Sequence, residues 1–303
     1  MAFKQLDLFV ASAVDISPKA QQELMQRCWF SLSTNLRTTP IKHEYVDADG
    51  EESWVEIKGT PEAGIATIWD QDVIIFIIAQ YMHALNQGMP TSPRFSFTGY
   101  DYLQFVGKQK LGGKDYADLW ARLLRLQTTN ILTNIRQGDD RDKRTFSWLS
   151  EAKQTTDNDT GKHRGFEVVL PEWLYESVIQ KQMVLTLDDK YFKIRGGLER
   201  WLYLFARKSS GHQTGGWTES VQSLHKKSGS TATLAEFKRQ LKKIVTRDQL
   251  LGYETSFETK GKYDADAVWF GSTRHMTQLA NEGRQTKGPK KWRRKISESP
   301  WRT

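Results

Sequence analysis

The chain has 303 residues, 38% of them hydrophobic and 26% charged, with a formal net charge of +8. That composition suits a soluble globular protein with one large or two ordinary domains, and it excludes a disordered chain. A single cysteine, Cys28, excludes an internal disulfide and any multi-cysteine zinc site. A lone cysteine suits a reducing cytoplasm, and its neighbours Trp29 and Phe30 point to a buried structural thiol. The start, M-A-F-K-Q-L-D-L-F-V-A, carries an acid and no apolar core of signal-peptide length, and the longest apolar run, 73–79, is too short for a membrane span. The charge is uneven. Residues 1–68 hold six Lys and Arg against ten Asp and Glu, and the remainder carries a net +12. A positive surface away from the N-terminus is expected, as a polyanion-binding protein requires.

In chain order, 15–27 opens with Ser17-Pro18 and reads as a capped helix, and 28–33 as a strand. Residues 41–46 and 53–57 flank Asp49-Gly50 and predict a hairpin. This acidic N-terminal part is a poor DNA surface. The stretch 69–85 is apolar nearly all round and long enough for a buried helix, ended by N-Q-G-M-P. A short strand follows at 94–98, a short helix at 100–106 and a basic glycine-containing turn at 107–114. Residues 115–128 form an amphipathic helix with Tyr116, Leu119, Leu123 and Leu126 inward, and Arg122 and Arg125 on the other side. Then come a strand at 130–136, a charged tip at 137–144 and a returning strand at 145–151. Residues 153–162 read as a loose polar loop, 165–170 as a strand and 171–181 as a helix.

The second half is organised around 228–248, S-G-S-T-A-T-L-A-E-F-K-R-Q-L-K-K-I-V-T-R-D. Leu234, Phe237, Leu241, Ile244 and Val245 mark one face of a helix; Ala235, Glu236, Arg239, Lys243 and Thr246 mark the other. A shorter helix, 218–227, precedes it across a Ser-Gly-Ser turn. A strand at 253–258, a tip carrying Lys260 and Lys262, and a strand at 267–271 follow. Helix, turn, helix, strand, basic tip, strand is the order of a winged helix, in which the second helix enters the major groove. The order at 69–151 is the same. Phe97-Thr98 matches Trp217-Thr218, and Leu124 matches Leu241, at an offset near 120 residues.

The expected fold is therefore α+β, mainly helical, with two tandem winged helix-turn-helix domains and an N-terminal β-containing extension. The expected boundaries are 1–186 for the extension and first domain, 187–281 for the second, and 282–303 for a basic, disordered tail. The expected partner is double-stranded DNA. Lys226, Lys227, Ser230, Thr231, Thr233, Arg239, Lys242, Lys243 and Arg247 are the candidate contacts of the second domain, with Lys260 and Lys262 on its wing. Lys114, Arg122 and Arg125 are those of the first, with Arg141, Lys143 and Arg144 on its wing.

No catalytic constellation emerges, and neither an enzyme nor a cofactor is expected. G-K-Q-K-L-G-G-K at 107–114 misses the phosphate-loop pattern, because Gly113 separates Gly112 from Lys114 and Asp115 follows. The six histidines are scattered, with no His-x-His pair and no His-Glu-x-x-His. Asp139, Asp140 and Asp142 lie beside three cations and read as a solvated loop, not a metal site.

L-D-L-F-V near the N-terminus, I-W-D-Q-D-V-I-I-F at 68–76, W-A-R-L-L-R-L-Q-T-T-N-I at 120–131 and G-F-E-V-V-L-P-E-W-L-Y at 165–175 together resemble the plasmid replication initiator protein A family. Helix 197–207 resembles the opening of the second winged helix in iteron-binding Rep initiators, whose following helix often carries F-K-R, as Phe237-Lys238-Arg239 does. The resemblance implies a non-enzymatic initiator that binds repeats at a plasmid origin, helps open the duplex and recruits a host initiator and the replicative helicase. It also implies autorepression as a homodimer, and hence plasmid copy control. The alternatives from the residues are a winged-helix transcriptional regulator and a DNA-nicking initiator.

Overall fold

The computed structural model describes residues 16–46, 52–108, 112–134, 143–156, 163–180, 183–211, 213, 215–247, 250–259 and 265–274. These fall into two compact units, one within Met1–Gln21 and Trp29–Phe192, the other within Gln22–Cys28 and Lys193–Thr303. In chain order the elements are β1 (Lys19–Gln21), α1 (Glu23–Gln26), β2 (Ile41–Val46), β3 (Glu52–Lys58), α2 (Gln71–Asn86), β4 (Arg94–Phe97), α3 (Gly99–Phe105), α4 (Gly113–Thr128), β5 (Asn130–Thr133), β6 (Arg144–Ser147), β7 (Glu151–Thr156), β8 (His163–Val169), α5 (Glu172–Ile179), β9 (Val184–Thr186), α6 (Gly197–Ser210), β10 (Trp217–Ser220), α7 (Val221–Ser228), α8 (Leu234–Arg247), β11 (Tyr253–Glu258) and β12 (Ala267–Ser272). The architecture is α+β.

In the first unit the run V-I-I-F-I-I-A leaves α2 no polar face, so it is stable only inside; every residue from Gln71 to Met82 is buried. Phe76 anchors an aromatic cluster with Phe95, Phe97, Tyr102 and Phe105, at centroid separations of 6.0, 5.4, 5.8 and 5.2 Å. Thr98 caps α3: its hydroxyl accepts from the Asp101 amide, and the Asp101 carboxylate accepts from the Thr98 amide, both at 3.2 Å. Two antiparallel sheets complete this unit's main framework, in strand orders β2-β3-β5-β6 and β4-β8-β7.

In the second unit α6 is buried over Trp201 to Ala206. Against it packs α1, part of a strap that the chain sends out after Gln21 and withdraws at Trp29. Leu24 and Met25 are buried there. The Cys28 amide donates to the Lys227 carbonyl at 2.9 Å, satisfying an acceptor at the end of α7. The sheet order is β10-β12-β11. Trp217 pairs with Phe270 and Tyr253 with Ser272, so the central strand β12 is buried throughout.

Several expectations are corrected. Residues 15–27 do not form one helix: Lys19, Ala20 and Gln21 pair with Thr186, Leu185 and Val184, and only the four residues of α1 are helical. A distant strand outcompetes the local propensity. The stretch 28–33 makes a single bridge, Ser31 to Thr67, and no strand. The polar 153–162 is no loose loop at its start, because Glu151–Thr156 is hydrogen-bonded to β8.

The hairpin of β5 and β6 forms, but it extends β3 and does not join β4. The strand order that matches β10-β12-β11 in the first unit is β4-β8-β7. The register between the halves shifts too. Thr98 and Ser220 are the equivalent caps at strand ends, and Leu124 is 42% exposed while its neighbour Leu123 is buried.

Because Met25 is fully buried, Met25→Ala is expected to cost about 2–5 kcal/mol. Hydrogen exchange should speed up in the amides of α6 and leave those of α2 unchanged.

Candidate nucleic-acid interface

The strongest candidate lies on α7 and α8. Ser220 caps α7 by accepting from the Ser223 amide at 3.1 Å. Gly229 ends it in the left-handed region at φ +61, which glycine adopts without a Cβ penalty. The turn that follows is hydrogen-bonded at each step. Ser228 Oγ donates to the His225 carbonyl at 2.7 Å and accepts from the Ser230 amide at 3.2 Å. Ser230 Oγ accepts from the Ala232 amide at 3.2 Å. His225 Nε2 lies 2.8 Å from the Ala232 carbonyl; a carbonyl only accepts, so that nitrogen carries the proton. Thr233 begins α8, its hydroxyl accepting from the Glu236 amide at 3.2 Å.

Phe237, Leu241 and Val245 are buried beneath α8. Their spacing turns Ala235, Arg239, Gln240, Lys242, Lys243, Thr246 and Arg247 to solvent, and Thr231 and Thr233 are exposed just ahead of the helix. The cations differ in freedom. Lys226, Lys243 and Arg247 are exposed, with no ion-pair partner among the described residues. Lys242 rests 4.8 Å from the centroid of Phe257 on β11. Lys238 is ion-paired with Asp266, just before β12.

Lys227 turns inward, 2.9 Å from Glu219 Oε2 and 5.4 Å from the Phe205 ring centroid. Burial pushes the Glu219 carboxyl up, but hydrogen bonds from Ser223, Lys227 and Trp217 outweigh it and hold it below its ordinary value. Arg239 lies along Glu236 and is discussed below. Lys260 and Lys262 lie outside the described residues.

In the first unit Lys114 is exposed at the start of α4. Arg125 forks onto Asp70, with Nε and Nη2 each 2.8 Å from a carboxylate oxygen. The Asp70 side chain is 1% exposed, and it also accepts from the Thr67 amide at 2.7 Å. Arg122 donates to the Trp69 carbonyl. Burial disfavours its charge, but the fields of Tyr102, Asp72, Asp70 and Asp118 prevail and raise its pKa. Both arginines therefore tie α4 to the start of α2, and they line a cleft of about 390 Å³ with Trp69, Asp70 and Leu36. Lys143 and Arg144 are exposed at the start of β6, and Arg141 lies outside the described residues.

Sequence reasoning did not anticipate the Glu219–Lys227 pair or Gln240 beside Glu236. The only sequence signal for the latter is T-x-x-E at 233–236, which predicts a capping box in place of the contact found. The glycine-containing 107–114 follows α3, not a strand, and Lys108 is paired with Asp115 at 3.0 Å. Asp139, Asp140 and Asp142 lie outside the described residues. Among the described residues no cluster of His, Cys, Asp and Glu could hold a metal ion, and no helix is long and apolar enough to cross a membrane.

The profile of the family described as replication initiator protein A matches residues 19–255. The chain belongs to the replication initiator protein A family. This initiator-family chain is 33% identical over 206 residues to a protein named "Putative replication protein" from Wigglesworthia glossinidia brevipalpis; the match covers 67% of this chain and 74% of that one. Its fold is similar to crystal structures of domains 2 and 3 of RctB. One aligns with a TM-score of 0.58 at 14% identity, covering 82% of this chain and 98% of that crystallised two-domain chain. A second aligns with a TM-score of 0.51 at 14% identity, covering 80% and 95%.

Two outcomes follow from the buried charges. Arg125→Ala strands the Asp70 carboxylate and is expected to cost about 3–5 kcal/mol in denaturant unfolding of the first unit. Glu219 has its folded pKa lowered from 4.5, so its contribution is fully present above that pH and lost as pH falls through the lowered value. Glu219→Gln should therefore lower the thermal midpoint more at about pH 7 than at an acid pH well below 4.5. Equal losses at both would assign the effect to packing.

Proposed function

We propose that this chain is a non-catalytic plasmid replication initiator that binds repeated sites at an origin in double-stranded DNA. In this reading it helps open the duplex, brings in host replication proteins including the replicative helicase, and represses its own gene as a homodimer. It works in the cytoplasm, on plasmid DNA.

The observation that carries this reading is the outer face of α8. It is basic and solvent-exposed, and it is fixed by a buried apolar seam and a hydrogen-bonded turn. A helix presented in that way meets the needs of major-groove reading: side chains reach out while the backbone stays rigid. Each unit is then a winged helix, with α7 and α8 or α3 and α4 as the helix pair.

In the second unit the wing is β11 and β12. In the first, the strand order β4-β8-β7 supports β7 and β8 as the wing, which puts exposed Lys153 on it. Arg239, Lys243, Thr231 and Thr233 read base edges and phosphates, with Lys226, Lys242 and Arg247 at the margins. Ser230 holds the turn. In the first unit Lys114 contacts the backbone, and Arg122 and Arg125 act by holding α4 in place.

The test is fluorescence anisotropy of the full chain on DNA flanking its own gene, at two salt concentrations with excess competitor. Saturable binding to directly repeated sites, lost in the Arg239→Ala, Lys243→Ala double variant, is expected. Each phosphate contact removed should lower the log–log salt slope by about 0.9. Salt-labile binding that ignores both sequence and substitution would overturn the reading. A stable dimer bound to one palindrome alone, with no binding to direct repeats, would favour a transcriptional regulator, and a covalent protein–DNA adduct that survives denaturant would mark a nicking enzyme.

A further inference from the structure

Glu236 is an acid on a face that otherwise attracts polyanions. From the third position of α8, its spacing from Thr233 would send the carboxylate back over the helix start. It points along the helix instead. Glu236 Oε2 accepts from Arg239 Nε at 3.0 Å, and Oε1 accepts from Arg239 Nη2 at 2.7 Å and from Gln240 Nε2 at 3.1 Å. The Arg239 side chain nonetheless remains 74% exposed.

A guanidinium can make a two-pronged contact along more than one edge. Here the Nε–Nη2 edge is closed by Glu236. The edge formed by Nη1 and the second Nη2 hydrogen is open, with no acceptor among the described residues. Two parallel donors at that spacing match O6 and N7 of guanine. The hydrogen bonds from Arg239, then Gln240, hold the Glu236 carboxyl down to about 2, so the contact persists across the physiological range.

We propose that Glu236 is a specificity-determining positioning residue: it fixes Arg239 with its Nη1–Nη2 edge presented to a guanine in the major groove, so that α8 reads a G·C pair there. This rests on the proposed DNA-binding role of α8 and assigns it a base. A carboxylate in the middle of the reading face repels every phosphate nearby, so removing it has opposite effects on general affinity and on discrimination. A surface ion pair without a role in reading would not separate the two.

The experiment selects duplexes of about 20 base pairs from a random pool with the full chain. It then measures the parent, Glu236→Ala and Arg239→Ala proteins on the enriched sequence, on versions with each G·C replaced by A·T, and on an unrelated duplex. One replacement is expected to weaken the parent about tenfold and to leave Arg239→Ala unaffected. Glu236→Ala should bind the unrelated duplex more tightly than the parent and lose most of that tenfold preference.

If Glu236→Ala gains affinity on all duplexes alike and keeps the preference, Glu236 does not position the reader. If Arg239→Ala weakens all duplexes equally, Arg239 is a phosphate contact; either result overturns the proposal while leaving DNA reading by α8 intact. If no sequence is enriched, the reading role of α8 falls, and this proposal with it.

Discussion

The burial of Phe237 and Leu241 beneath α8 is the constraint on which the candidate interface depends. Neither side chain is accessible at all. A helix has one rotational freedom about its axis, and two buried positions four residues apart remove it. Arg239, Lys243 and Arg247 then face outward because of what lies beneath them. A slip of one residue would turn the helix by about 100° and carry a cation toward the sheet. The axial freedom is removed at the other end, where the His225 and Ser230 side chains hold the turn and Thr233 begins the helix. Of the outward side chains Arg239 is itself held, by Glu236, while Lys243 and Arg247 extend into solvent.

The same coupling explains which parts of the fold were legible in the sequence. The helix α2, the strands around Asp49-Gly50 and the pattern of α8 are written in local periodicity, and they stand where that periodicity puts them. The strand β1 could not be read this way, since Lys19 meets Thr186 from 167 residues away. A Ser-Pro start looked like a helix cap only because its real partner was out of view. β7, E-A-K-Q-T-T, has no apolar alternation and is a strand because β8 pairs with it. The strap of 22–28 is equally silent: an ordinary short amphipathic stretch cannot announce that it serves the second unit.

The candidate site was legible on α8 and much less so on α4, and the difference is physical. A helical wheel separates the apolar side from the rest, but it does not say whether the rest meets water or another element. On α8 the basic side meets water. On α4, Arg122 and Arg125 meet the Trp69 carbonyl and the buried Asp70. A carboxylate 1% exposed at the start of α2 has to be paired, and a bidentate arginine is the partner that satisfies it. The two units thus use arginine for different ends, although β4-α3-α4 and β10-α7-α8 share one strand-helix-helix order. The first spends it on joining two helices; the second leaves Arg239 in solvent with one edge occupied.

The likeness to domains 2 and 3 of RctB is one of fold. Agreement in fold at 14% identity means that the arrangement of helices and sheets tolerates wholesale exchange of side chains. Of the 14 residues of α8, only Phe237, Leu241 and Val245 are buried. The outward positions of α8 contribute little to that core, so the chemistry presented to a partner is independent of the chemistry that holds the fold. A scaffold built in this way can present a new set of side chains on α8 without a change in architecture. What α8 presents outward is therefore set by Glu236, Arg239, Gln240 and Lys243 themselves.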